Sequence, residues 1–132
     1  MRLLLVGAEP IAPAVWWRFV AKARTSGLDE RAPLPVYGLA EATLAVTFPP
    51  LGEMAVERVL DRAALSRGHA VETARGPDAV ELMDVGLPVP GCEVRIVDGA
   101  DRPLDDRRVG HVQVRGPQVA RGYLCEILFT TG

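Results

Sequence analysis

Residues 3–10 of the 132-residue chain read Leu-Leu-Leu-Val-Gly-Ala-Glu-Pro, an apolar run that stops at a glycine turn. Such a run is typical of a strand in a parallel sheet, where both faces are covered. From Pro13 to about Ser26 the apolar residues recur at helical spacing, and Gly27 follows as a stop signal. Pro33–Tyr37 is then predicted to be a second short strand. Strand, helix and strand in this order predict a right-handed crossover unit of a parallel sheet.

The segment after this unit carries mixed signals. Residues 40–42 suit a helical turn, and residues 44–48 then alternate apolar and polar side chains, which is strand periodicity. Val56–Leu60 is predicted to be a further strand. Asp61 is a candidate cap for a short helix that ends at Gly68.

Short strands dominate the chain from about residue 69 onward. The last two predicted strands alternate their side chains and are joined by a polar loop, which predicts an antiparallel hairpin. The fold class is therefore α/β, a partial parallel-sheet crossover unit followed by a small antiparallel β-subdomain. We divide the chain into an α/β portion, residues 1–68, and a β-rich subdomain, residues 69–132. The predicted strands of this subdomain are His69–Thr73, Val80–Val85, Cys92–Asp98 and Val109–Arg115.

Composition excludes several classes of protein. Hydrophobic content of 48% and charged content of 24% exclude wholesale disorder. A formal net charge of −2, with no basic stripe, argues against nucleic-acid binding. No apolar run reaches the length of a membrane span. The two cysteines, Cys92 and Cys125, have no metal or redox spacing, which fits a reduced cytoplasmic setting.

Residues 37–41, Tyr-Gly-Leu-Ala-Glu, are the most informative segment for function. Here a predicted strand runs into a tight glycine turn, with an aromatic residue before it and a carboxylate after it. An aromatic ring can stack on a base, and a carboxylate oxygen can bind Mg²⁺ beside phosphates. The pattern therefore favours a nucleotide site.

Four blocks, in order along the chain, resemble motifs of the adenylate-forming enzymes and, more narrowly, of the fatty acyl-AMP ligases. Residues 37–48 resemble their aromatic-Gly-x-Thr/Ala-Glu motif, and residues 6–11 resemble the Gly-Ala-Glu-Pro segment that flanks adenine. Residues 85–91 lead into a strand as they do in that superfamily. Residues 110–123 resemble its Gly-Glu-Ile-x-Val-x-Gly and Gly-Tyr block.

The resemblance implies a reaction and its participants. ATP and a fatty acid would give an acyl-adenylate and pyrophosphate, and the acyl group would pass to the thiol of an acyl carrier protein or of CoA. Three alternatives stay open. They are an acyl-CoA synthetase, a peptide-synthetase adenylation domain and a non-catalytic nucleotide-binding module.

The resemblance also implies roles for individual residues. Tyr37 would stack on adenine, and Glu41 would be the catalytic Mg²⁺ ligand. Ala40 stands where many relatives carry a threonine near the α-phosphate. The predicted nucleotide-binding residues are Gly7, Ala8, Glu9, Pro10, Tyr37, Gly38, Leu39 and Ala40.

Two lysine-bearing parts of the family pattern are not matched in this chain. These are the phosphate-gripping loop and the mobile C-terminal domain; the one lysine, Lys22, lies outside every matched block. Thr131 and Gly132 resemble the beginning of the ribose-binding Thr-Gly-Asp motif. We therefore expect a fragment of the N-terminal domain that has little or no activity alone and can self-associate through uncovered surfaces.

Overall fold

The computed structural model describes residues 2–122. The predicted motif residues Tyr123, Thr131 and Gly132 and the tail cysteine Cys125 lie outside the described residues. Within residues 2–122, none of the helices has the length and apolar content that a bilayer crossing requires.

The predicted strand–helix–strand unit with parallel strands is confirmed. Strand β1 (Leu4–Val6) is followed by helix α1 (Pro13–Arg24) and strand β2 (Pro33–Pro35). The two strands pair in parallel, with Leu5 opposite Leu34. Both ends of the helix follow local signals, because Pro13 occupies its first turn and Gly27 lies just past its last.

Gly27 ends the helix in a Schellman motif, as its position predicts. Its φ is +85°, its N–H donates to the Arg24 carbonyl at 3.0 Å, and the Leu28 N–H donates to the Ala23 carbonyl at 3.2 Å. A residue with a side chain adopts this φ only at a cost, so glycine is the natural stop here.

Burial of β1 differs from the prediction. Leu34 is fully buried, whereas Leu5 is 51% exposed. Helix α1 packs Trp16 and Val20 into a core cluster that Val6 joins. Because side chains alternate along a strand, this arrangement places Leu5 on the opposite face. The expectation that both faces of β1 are covered is therefore wrong for the described part of the chain.

The segment after β2 is only partly as predicted. A 3-10 turn covers Ala40–Ala42, as expected, but strand β3 spans only Thr47–Phe48. Thr43 and Leu44 have φ values of +51° and +71°, which no strand residue adopts. The predicted strand over residues 44–48 is therefore wrong in its first half.

The next part of the chain confirms one predicted helix cap and shows that one predicted strand is wrong. Strand β4 (Glu57–Asp61) leads into helix α2 (Arg62–Ser66), and the Ala64 N–H donates to the Asp61 carboxylate at 2.6 Å. Strand β4 pairs antiparallel with β5 (Ala79–Met83). The predicted strand His69–Thr73 is wrong, because that stretch makes only isolated bridges, through His69 and Glu72.

Two further antiparallel pairs complete the described fold. Strand β6 (Leu87–Pro88) pairs with β3, and β7 (Glu93–Val97) pairs with β8 (His111–Arg115) as the predicted hairpin. Val94 and Val114, directly opposite each other, pack against a second core cluster. The α/β fold class, with a parallel pair followed by small antiparallel pairs, is confirmed; the boundary at residue 68 stays a prediction.

Candidate active site

A cleft of about 440 Å³ lies where the segment after β1 meets the segment after β2. Parallel strands end at the same edge of a sheet, so the residues that follow them come together there. The cleft is lined by Ala8, Glu9, Pro10, Ile11, Val36, Tyr37, Gly38, Leu39, Leu82, Met83 and Val85. Six of the predicted nucleotide-binding residues therefore share one cavity.

The remaining predicted site residues lie around this cleft. Gly7 lines an adjoining cavity of about 240 Å³, together with Ala8 and Gly38. Ala40 and Glu41 follow Leu39 on the 3-10 turn and do not line either cavity. Seven of the eight predicted nucleotide-binding residues thus line these two cavities, and Ala40 and Glu41 follow in sequence on the turn.

The turn after β1 is tightly built. Ala8 has a φ of +75°, which is uncommon for a residue with a side chain. A Cβ added at Gly7 would lie 2.6 Å from the Val36 carbonyl oxygen. The Val36 N–H in turn donates to the Val6 carbonyl at 2.9 Å. The Gly-Ala-Glu-Pro turn is therefore fixed against the end of β2.

Tyr37 is shared between the cleft and the core. Its ring is half-buried, and it packs against the cluster of Ala42, Val46 and Cys92. Its carbonyl accepts the N–H groups of Val46 and Thr47, at 3.1 and 3.0 Å. The tyrosine is held by its backbone and by one side of its ring while it lines the cleft.

Gly38 is required by packing inside the protein. A Cβ at this position would lie 1.5 Å from the carbonyl oxygen of Leu44. The Leu44 N–H donates to the Leu39 carbonyl at 2.9 Å, which closes the loop over residues 39–44. From the sequence, Gly38 is assigned only to nucleotide binding. The close approach of the Leu44 carbonyl is a second reason for glycine at this position.

A third wall of the cleft was missed by sequence reasoning. Leu82, Met83 and Val85 come from β5 and the residues after it. The Thr47 hydroxyl donates to the Val85 carbonyl at 2.7 Å and joins this wall to β3. The predicted strand Val80–Val85 contains these residues, but its pairing with β4 was not readable from the sequence.

A second missed feature is the segment of residues 118–120. The Thr43 hydroxyl donates to the Gln118 carbonyl at 2.9 Å, and the Ala120 N–H donates to the Glu41 carbonyl at 2.7 Å. The sequence reading matched this segment to a family block but assigned it no role. It holds the turn that carries Glu41.

The Glu41 side chain is exposed on this turn. Across residues 2–122, no group of three or more histidine, cysteine, aspartate or glutamate side chains is arranged to hold a metal ion. Mg²⁺ in nucleotide sites usually takes one or two carboxylates, with substrate phosphates and water as its other ligands. Glu41 supplies one exposed carboxylate on the turn that follows the cleft lining, and this fits that pattern.

The fold defines an α/β domain whose candidate site lies at the carboxyl ends of two parallel strands, where ligands of such domains usually bind. The family described as AMP-binding enzyme matches residues 1–124, and the chain belongs to that family.

Curated relatives of the chain include fatty-acid ligases. A medium-chain-fatty-acid–[acyl-carrier-protein] ligase from Teredinibacter turnerae is 35% identical over 118 residues, which are 89% of this chain and 18% of that protein. A long-chain-fatty-acid–AMP ligase from Mycobacterium marinum is 34% identical over 122 residues, 91% of this chain and 19% of that protein. The chain spans about a fifth of the length of these relatives.

Solved structures of fatty acyl-adenylate ligases are also similar to this chain. A structure from work on the fatty acyl-adenylate ligases of E. coli and L. pneumophila has a TM-score of 0.86 at 32% identity, covering 92% of this chain and 22% of that one. The L. pneumophila fatty acyl-adenylate ligase in complex with acyl adenylate and pyrophosphate has a TM-score of 0.84 at 30% identity, covering 92% and 21%. The resemblance to the fatty acyl-AMP ligases is therefore confirmed.

Proposed function

We propose that the chain is the segment of a fatty acyl-AMP ligase that forms one wall of its adenylate site. The observation that carries the proposal is the cleft, in which the Gly-Ala-Glu-Pro turn and residues 37–39 face the same cavity. The names of two curated relatives, both fatty-acid ligases, support the choice of substrate.

The proposed reaction has two steps. A carboxylate oxygen of the fatty acid forms a bond to the α-phosphorus of ATP while the bond to the β-phosphate oxygen breaks, and pyrophosphate leaves. A thiolate then attacks the acyl carbon and AMP leaves. For the thiol we propose an acyl carrier protein, because one relative is named for that acceptor. A cytoplasmic location is part of the same proposal, since a cytoplasmic enzyme would meet ATP and carrier proteins there.

The adenine base would lie in the cleft. Its volume of about 440 Å³ is within the range of roughly 300–1,000 Å³ that is usual for small-molecule sites. Tyr37 offers a ring to stack on the base, worth roughly 1–3 kcal/mol by analogy with nucleic-acid bases. Ala8, Glu9 and Pro10 would cover the other side. Gly38, Leu39 and Ala40 would lead from the base to the phosphates.

Glu41 would hold Mg²⁺ at the phosphates. When bound, the ion would neutralise charge on the phosphate oxygens. The backbone of Glu41 is fixed by the Ala120 N–H at 2.7 Å, so the carboxylate is presented from a held position. Preorganised charge of this kind is usually a large share of catalysis.

The 132-residue chain by itself would bind but not catalyse, since it spans about a fifth of its relatives. It would also self-associate, because apolar side chains on β1 and α1 are about half-exposed: Leu5 at 51%, Val15 at 62% and Phe19 at 43%. Light scattering measures this, and a monodisperse monomer at high concentration would contradict it.

The test of the proposed function uses the complete polypeptide that contains these residues. Glu41→Gln removes the charge at nearly constant volume, and we expect it to lower fatty-acid-dependent pyrophosphate release by roughly 10²–10³-fold. Glu53→Gln is the matched control, because Glu53 is also exposed and lies outside the cleft lining.

Three results would count against the proposal. Near-normal pyrophosphate release by Glu41→Gln would exclude the metal role. Release that depends on an amino acid instead of a fatty acid would favour a peptide-synthetase adenylation domain. Thioester formation with CoA but not with a carrier protein would favour an acyl-CoA synthetase.

A further inference from the structure

Thr43 and Leu44 form a strained pair directly after the turn that carries Glu41. Their φ values are +51° and +71°. A positive φ is uncommon for any residue with a side chain, and a β-branched residue such as Thr43 in the left-handed region is an outlier. Strain of this kind persists only where the surrounding structure fixes the backbone, and it clusters at functional sites.

Interactions on two sides fix this pair. On the inside, Ala42 is 1% exposed in the cluster with Val46 and Cys92, and the Leu44 carbonyl lies against Gly38. On the outside, the Thr43 hydroxyl donates to the Gln118 carbonyl at 2.9 Å. The Ala120 N–H donates to the Glu41 carbonyl at 2.7 Å. The segment of residues 118–120 therefore holds the turn on both sides of Ala42.

We infer that Thr43 is a positioning residue for Glu41, acting through its hydroxyl bond to the segment of residues 118–120. The inference rests on the proposed function, in which Glu41 holds Mg²⁺. Thr43 has no place in the cleft lining, so it would act on the orientation of the neighbouring carboxylate and not on the nucleotide.

The physical argument is the direction in which the strain can relax. Without the hydroxyl bond, Thr43 is free to leave the left-handed region for a more populated one. Rotation there turns the end of the 3-10 turn, which begins three residues earlier and includes Glu41. Displacement of a catalytic group by about 1 Å can cost as much as 10²-fold in rate.

The experiment compares variants of the complete polypeptide in fatty-acid-dependent pyrophosphate release as Mg²⁺ is varied. Thr43→Val keeps the size and branching and removes the hydroxyl. We expect the Mg²⁺ concentration for half-maximal rate to rise about tenfold and kcat to fall between about 10- and 100-fold. The KM for the fatty acid should stay at the wild-type value, and Thr43→Ser should restore the wild-type Mg²⁺ dependence.

Two further variants keep the test decisive. Thr43→Ala also lacks the hydroxyl and keeps a Cβ that disfavours a φ of +51°; because alanine is not β-branched, it reports even if the valine variant does not fold. Thr25→Val is the matched control, because the Thr25 hydroxyl donates to the Lys22 carbonyl at 2.7 Å at the far end of α1. A merely structural role would lower Tm without moving the Mg²⁺ dependence.

The outcomes separate the two proposals. Wild-type Mg²⁺ dependence and kcat in both Thr43→Val and Thr43→Ala, alongside a defective Glu41→Gln, would overturn the positioning role and leave the proposed function standing. A wild-type polypeptide that releases no pyrophosphate with any fatty acid would overturn both. A raised Mg²⁺ requirement in both hydroxyl-free variants, restored by serine, supports the inference.

Discussion

Replacing Gly38 by alanine is the sharpest test of how the cleft wall is built. The added Cβ would lie 1.5 Å from the Leu44 carbonyl oxygen and 2.7 Å from its carbon. Real Cβ atoms essentially never come closer than 3.0 Å to such atoms. The loop over residues 39–44 therefore has to open by about 1.5 Å, and backbone atoms, unlike the end of a flexible side chain, cannot move aside alone.

The cost follows from what the movement breaks. Leu44 donates its N–H to the Leu39 carbonyl at 2.9 Å, and Val46 donates to the Tyr37 carbonyl at 3.1 Å. Each bond contributes about 0.5–1.5 kcal/mol net, and forcing an extra methyl group into a packed site costs about 1–3 kcal/mol. We expect Gly38→Ala to lower the free energy of unfolding by about 2–6 kcal/mol.

Urea unfolding followed by tryptophan fluorescence measures this loss, since Trp16 is buried in a core cluster and reports unfolding. Gly76→Ala and Gly99→Ala are matched controls. At both positions an added Cβ would meet no heavy atom within 4 Å in the described part of the chain. Their effects should stay within about 0.5 kcal/mol. A loss below about 1 kcal/mol for Gly38→Ala would refute the packing argument.

Two other predictions concern stability. Asp61→Ala removes the cap of α2, in which the carboxylate accepts the Ala64 N–H at 2.6 Å, and should cost about 1 kcal/mol in urea unfolding; an unchanged midpoint would contradict it. The backbone N–H groups of Arg102 and Ala100, with the Arg102 guanidinium, hold the pKa of Asp98 below its ordinary value. Its stabilising effect is therefore present above the ordinary pKa and is lost as pH falls below about 4 and through the folded value. The Tm of Asp98→Asn should fall less than that of the wild type over this range; parallel Tm curves would exclude the effect.

The elements that were predictable from the sequence are those whose signals are local. Helix α1 begins at Pro13 and ends at Arg24, just before Gly27, because both Pro13 and Gly27 act within one turn. The cap at Asp61 is equally local. The meeting of residues 8–10 with residues 37–39 follows from the parallel crossover, since both segments leave the same edge of the sheet.

The features that were missed depend on distant partners. Thr43 and Leu44 alternate with their neighbours like strand residues, yet the Leu44 carbonyl against Gly38 and the Thr43 bond to Gln118 impose a left-handed backbone. Leu82, Met83 and Val85 reach the cleft through the pairing of β4 with β5. Nothing in the sequence near these residues specifies such partners. Side-chain alternation predicts which face of a strand a residue lies on, but not which other segment pairs with that strand.

The segment of residues 37–48 takes most of its anchoring from later in the chain. The Thr47 hydroxyl donates to the Val85 carbonyl at 2.7 Å, and the Val89 N–H donates to the Val46 carbonyl at 2.9 Å. Residues 118–120 add the bonds to Thr43 and Glu41. Residues 1–68 alone would lack these partners, and an unmade hydrogen bond at a buried group costs about 1–3 kcal/mol. The motif that resembles a nucleotide site is therefore placed by the β-rich part of the chain, which explains why blocks without catalytic side chains accompany it.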